Sequence, residues 1–278
     1  MISQNLRGLR RAYILCWVKV FLTMGSTWQR QRRIVNPAFE GGRLKQAFPA
    51  MQAAADAFLA ALSPGTANVE PLASKLAADV ILRTLFSVPI EDKTASKVFD
   101  AFRTYQRQQP VANLAALVPA LRWLPFWQNR RVKRSALEIR RLITHLTHMR
   151  QDQIAASRAP QDLATRLLST QDPETGTRLS LSEMVDQVMI FFLAGHETSA
   201  AALSWALYLL ARYPHFQDQV AQEVSQLMGS DNFAAMRNLS FTRDVFRETL
   251  RLYPPVPMMV REVGQTGEVF RGRRMPKN

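Results

Sequence analysis

The sequence predicts a mainly α-helical protein, and three observations carry that expectation. Only eleven glycines occur among 278 residues and aromatic residues make up 9%, while the good helix formers Ala, Leu, Arg and Gln are abundant. Proline and glycine fall mostly between stretches of helical hydrophobic spacing. The run from Ser180 to Tyr213 contains no proline at all and opens on a capping signal. A hydrophobic content of 47% is enough to bury a large core in one or two domains, and neither an internal repeat nor a low-complexity linker divides the chain.

The elements follow in order. The most apolar early stretch, 13–24, is interrupted by Lys19 and falls well short of the roughly twenty apolar residues a spanning helix needs, so no membrane anchor is expected. The cationic start, Met1 to Arg11, precedes no small-residue cleavage site, which argues against a secretory signal. The lone Cys16 suits a reducing compartment, and the default address is cytoplasmic. A first helix carries Trp28 and Arg32. Residues 48–62 form a second, closed by Ser63-Pro64-Gly65, and 72–86 a third, ahead of Pro89. A further helix covers 91–109, after which Pro110, Pro119 and Pro125 break up the middle. Residues 130–158 read as a long amphipathic helix ended by Ala159-Pro160. Gln171 to Gly176 is a turn cluster, and Ser180 with Glu183 three residues on makes a capping box. The helix begun there spans roughly 50 Å at about 1.5 Å per residue, and its apolar character predicts a path through the centre of the molecule. Helices over 216–228 and 240–253 follow, the second stopped by Pro254-Pro255.

The net charge of +14, from 36 Lys and Arg against 22 Asp and Glu, suits an acidic protein partner or another polyanion. The arginines come in scattered pairs without the aromatic platforms of nucleic-acid modules, so no nucleic-acid partner is expected.

Chemistry concentrates in three places. Ala194-Gly195-His196-Glu197-Thr198 puts small residues, an acid and a hydroxyl inside an apolar helix, where glycine costs about 1 kcal/mol relative to alanine. Such violations concentrate at functional sites. A bland account competes: Gly195 allows close helix packing, and Glu197 and Thr198 face solvent or bond the preceding turn. A zinc site of the His-Glu-x-x-His type fails because Ala200 replaces the second histidine. His145 and His148, one turn apart, read as a solvated face, and no metal ligands are assigned. Glu248 and Arg251 are an i, i+3 pair for which the neighbouring Phe246, Leu250 and Leu252 make burial plausible. Trp28 and Arg32, four apart, present an indole N–H and a guanidinium on one side, a set of donors suited to carboxylates or phosphate. Taken singly, Trp28 could equally be a core anchor and Arg32 an exposed cation.

In this order, Trp-x-x-x-Arg, then Phe-Leu-Ala-Gly-His-Glu-Thr-Ser, then Arg-Glu-Thr-Leu-Arg-Leu-Tyr-Pro-Pro-Val-Pro, the chain resembles a cytochrome P450 from its C helix through its K helix. Leu76 to Ile81 is similar to the family's E helix, and Asp162 to Leu168 to the segment leading into its I helix. The expected architecture is a truncated cytochrome P450 fold with a long central I-type helix: a partial domain over 21–278 after an unmatched segment 1–20.

The resemblance implies a haem b cofactor, O2 and an apolar small-molecule substrate, with an acidic ferredoxin or a flavin reductase as electron donor. Ala194 and Gly195 match the small residues that leave room for oxygen and substrate. Glu197 and Thr198 match the acid and alcohol that deliver protons in order. Trp28, Arg32 and Arg261 match the groups that neutralise haem propionates. Glu248 and Arg251 match a structural pair completed by a later residue. The family's cysteine loop, which supplies the thiolate ligand, has no counterpart in these 278 residues, and Cys16 lies before the first matched helix. The chain alone is therefore expected to lack mono-oxygenase activity. The alternative is a non-catalytic helical remnant or binding scaffold.

Overall fold

The computed structural model describes residues 23, 25–40, 42–108, 130–227, 233–257 and 267–275. Cys16, Pro110, Pro119, Pro125 and Arg261 lie outside them. The helices are α1 (Gly25–Val35), α2 (Arg43–Ala60), α3 (Val69–Phe86), α4 (Lys93–Arg107), α5 (Arg130–Ala155), α6 (Leu163–Ser169), α7 (Leu181–Arg212), α8 (Pro214–Ser225) and α9 (Ser240–Leu252). A small antiparallel ribbon follows, in which β1 (Val269–Phe270) pairs Val269 with Arg274 and Phe270 with Arg273 of β2 (Arg273–Arg274).

Local chemistry sets most boundaries. Ser180 caps α7 as anticipated: its hydroxyl accepts from Glu183 N–H, and the Glu183 carboxylate accepts from Ser180 N–H at 2.9 Å. The Asp92 carboxylate accepts from Thr94 and Ala95 N–H and so starts α4 at Lys93, two residues later than its expected start. Helix α2 starts at Arg43, five residues before its expected start, and continues through Pro49. A proline there forfeits one backbone hydrogen bond, while Gln46, in the first turn, accepts a bond from Arg166 of α6.

Helix α7 is the axis of the molecule. It packs along α3 over a long interface and also meets α5, while α4 lies on α5 and α2 on α3. The core they enclose includes Ile34, Leu82, Phe102, Ile139, Leu167 and Met184, all 1% exposed or less. Phe102 of α4 stacks on Phe192 of α7 at 4.1 Å. Beneath α5, Arg150 and Asp162 form a buried ion pair at 2.8 Å. Arg150 also donates to the Phe86 carbonyl, and Asp162 accepts from Ser87 and from Thr165 N–H. Burial pushes the Asp162 carboxyl up against these bonds, so the pair depends on its full set of partners. The centre-crossing path holds only for the first half of α7, because Trp205, Leu207 and Tyr208 are exposed.

Candidate functional site: an open strip on the central helix

On a helix of 3.6 residues per turn, Glu183, Gln187, Phe191, Ala194, Thr198, Ala201 and Trp205 form a single strip. Its near end is covered by α1 and the turn after it. Arg30 forms an ion pair with Glu183, Gln31 donates to Glu183 at 3.1 Å, and Gln187 donates to Gln31 at 3.4 Å. Phe39 meets Phe191 edge-on at 5.2 Å. At the far end Trp205 stacks face to face on Tyr253, with ring centroids 3.8 Å apart. From Phe191 to Trp205 is roughly 20 Å at 1.5 Å per residue. Between them Ala194 is exposed, and Thr198 and Ala201 are half-buried. The result is a shallow bed with small side chains along its floor.

Helix α1 shows why one of its arginines is available. Arg33 grips the Asp172 carboxylate with two bonds, 2.6 and 2.9 Å, and reaches Glu174 at 3.1 Å. The Arg33 bond holds the Asp172 carboxyl far below the usual carboxylate range. Burial alone would raise Glu183, but hydrogen bonds from Ser180 and Gln31, with the charge of Arg30, hold it below its ordinary value. Arg30 and Arg33 thus fasten α1 to the start of α7 and to the turn before it. Arg32, between them, is exposed and has no carboxylate partner among the described residues; its guanidinium lies 5.8 Å from the Trp28 ring centre. Trp28 is 47% exposed, which removes the core-anchor reading. The pair presents donors to the outside.

The five central residues divide. Thr198 donates to the Ala194 carbonyl oxygen at 2.5 Å, the bond to the preceding turn that the bland account anticipates. Glu197 is exposed, at the edge of the strip. Gly195 does not face the open bed: a Cβ there would meet Ile81 Cδ1 of α3 at 3.1 Å, so the missing side chain serves the close approach of α3 and α7. Glu248 and Arg251 form a two-bond pair at 2.8 and 2.6 Å, but both side chains are more than half exposed, which corrects the expected burial. Leu250 and Phe246 flank the pair without covering it, because only Thr249 of α9 turns fully inward.

His196 is a buried imidazole, 2% exposed. Its Nε2 lies 2.8 Å from Ser74 Oγ of α3, and its ring packs on Phe99 and Phe192. Burial, reinforced by the positive charge of Arg103, pushes its pKa down to about 4 against the opposing contact with the Ser74 backbone. Sequence reasoning missed Ser74, Arg30 and Arg33, whose partners lie more than a hundred residues away. Among the described residues no cluster of His, Cys, Asp or Glu could hold a metal ion, and no helix is long and apolar enough to cross a membrane.

Comparison with known proteins gives a consistent answer. The family model for cytochrome P450 matches residues 16–278. The chain is 33% identical over 259 residues to cyclooctatin synthase of Streptomyces melanosporofaciens, covering 89% of this chain and 54% of that protein. It is 30% identical over 251 residues to a cytokinin hydroxylase of Arabidopsis thaliana, covering 87% and 48%. The solved structure of a cyanobacterial CYP120A1 with retinoic acid bound superposes with a TM-score of 0.75 at 25% identity, over 92% of this chain and 55% of that one. The chain thus spans about half the length of the curated relatives it matches.

Proposed function

The chain belongs to the cytochrome P450 family, and from that premise we propose that it carries the oxygen-side half of a haem b site for mono-oxygenation of an apolar small molecule. The open strip of α7 carries this reading, because it combines small residues, a hydroxyl and an adjacent acid with a neighbouring unpaired guanidinium.

The residues present fit the group in part. Arg32 is the one arginine of its helical turn left without a carboxylate, which suits it to a haem propionate, with Trp28 adding its indole N–H. Arg261 is assigned to a second propionate from its motif position. Ala194 keeps the bed shallow. Haem, when bound, supplies the iron chemistry that activates O2. Thr198 donates its hydroxyl proton to the Ala194 carbonyl, so its oxygen would face the bed as an acceptor that holds a proton-bearing partner there. Exposed Glu197 would exchange protons with water and pass them to the strip. The flanking Phe191 limits water at the near end.

A thiolate ligand for the haem iron does not fit. The only cysteine of the 278 residues, Cys16, precedes α1, so a thiolate at the iron has no source within the matched helices. These residues alone are accordingly assigned no mono-oxygenase activity. The exposed Trp205, Phe246 and Leu252 agree with surface that other polypeptide covers in a working enzyme. An acidic ferredoxin or flavin reductase suits the charge of +14 as electron donor.

The test is to add haem to the purified chain, reduce it under carbon monoxide and record the spectrum. A stable thiolate-type band that disappears in Cys16→Ser would overturn the account of the thiolate. Haem uptake that Arg32→Ala and Arg261→Ala both leave unchanged, in a chain completed with a relative's remaining half, would overturn the propionate assignment.

A further inference from the structure

A second cavity lies on another side of α7, between the first turns of α3, the last turns of α4 and the middle of α7, and encloses about 410 Å3. At 100° per residue His196 points roughly 160° away from Thr198, with Glu197 on the ridge between the two faces. The cleft therefore opens on the side of α7 away from Thr198 and meets the open strip only along Glu197 and Ala201.

Its inner wall is polar and incompletely satisfied. Ser74 and His196 are 4% and 2% exposed. Gln106 Nε2 and His196 Nδ1 are buried without a hydrogen-bond partner in the protein, although buried polar atoms nearly always have one. Arg103 borders the same space, its side chain 17% exposed and its Glu70 partner at a long 3.5 Å. At the mouth, Arg107 is exposed and has no ion pair among the described residues, while the Glu70 and Glu197 carboxylates are exposed and hence screened by water. The deep part of the cleft thus offers an amide N–H, a guanidinium and an imidazole nitrogen, and it has no buried carboxylate to oppose an anion.

We propose that this cleft binds a small carboxylate, held by Gln106, Arg103 and His196. A cation would meet Arg103, and an apolar molecule would leave both buried nitrogens without partners. One carboxylate supplies two acceptor oxygens and a charge that offsets the guanidinium. Binding selects the imidazole tautomer with the proton on Nδ1, and Ser74 then donates its hydroxyl proton to Nε2 across the 2.8 Å contact. The site needs no haem and stands apart from the proposed oxygen chemistry. Its links to that chemistry are Glu197 and Ala201, which border both the cleft and the strip.

The probe is sodium acetate, titrated into the 15N-labelled chain at neutral pH against sodium chloride at equal ionic strength. The expected result is a saturable shift of the Gln106 side-chain amide and a change of the His196 ring nitrogens to the Nδ1–H pattern, neither produced by chloride. Arg103→Gln should weaken acetate about tenfold or more, the usual scale for losing a charged hydrogen bond. Arg103 also touches Phe99, so Gln106→Leu, which removes a donor from a half-buried position, provides a second variant. The proposal fails if acetate gives no saturable shift, if chloride matches it, or if Gln106→Leu binds acetate as tightly as the parent.

Discussion

Lowering the pH from neutral should loosen this protein through His196. The imidazole is clamped among Ser74, Phe99 and Phe192, with Arg103 beside it and the Glu70 and Glu197 carboxylates only at the mouth of the cleft. Its folded pKa is lowered to about 4 from 6.5. The folded state therefore binds fewer protons than the unfolded chain between those values, and stability rises with pH across that window. The contribution is complete above about pH 6.5 and falls away as the pH drops toward about 4, with no further loss below. Two to three pKa units at 1.36 kcal/mol each give about 3 kcal/mol, a large share of a typical 5 to 15. Urea unfolding followed by far-ultraviolet circular dichroism, from about pH 7.5 to about pH 4.5, measures it. His196→Phe should cost stability near neutral pH, because Ser74 loses its partner, but should flatten the slope in that window. A slope unchanged by His196→Phe would refute the reasoning, since the titration would then belong to other groups.

Four further outcomes follow from the packing. Asp162→Asn leaves Arg150 buried without its counter-charge and should cost about 3 kcal/mol or more by the same unfolding assay. Arg33→Ala should lower the thermal midpoint while Arg32→Ala leaves it unchanged, because only Arg33 has a carboxylate partner. Gly195→Ala should change stability by less than about 1 kcal/mol, helix propensity offsetting the squeeze on the movable tip of Ile81, whereas Gly195→Leu should cost about 2. In a completed enzyme, Thr198→Ala should release more peroxide per reduced cofactor consumed; a ratio equal to the parent's would leave Thr198 a packing role.

The parts of this fold legible in the sequence are those whose physics is local. Ser180 and Glu183 sit three residues apart, so their reciprocal bonds can be read before any tertiary structure exists. The Glu248–Arg251 pairing is equally local, yet its exposure is not, because that depends on what packs over α9. The oddity of Gly195 and His196 within an apolar helix is visible, but its cause is α3: Ile81 fills the space above the glycine and Ser74 answers the imidazole. Nothing in Arg30, Arg32 and Arg33 as a string of cations says which two are used for docking. Their carboxylates lie near residues 172 to 183, and only the folded chain brings them together.

That arrangement on α1 makes the helix behave like a key with two cut teeth and one blank. Each inserted or deleted residue would rotate everything beyond it by about 100°. One extra residue between Arg30 and Arg33 would therefore turn Arg33 away from Asp172 while Arg30 still held Glu183, and the guanidinium left free would no longer stand beside Trp28. Over natural sequence variation, length changes should be nearly forbidden between Trp28 and Arg33. They should be tolerated a short distance on, at Ser63-Pro64-Gly65, where every residue is exposed and no helix phase has to be kept.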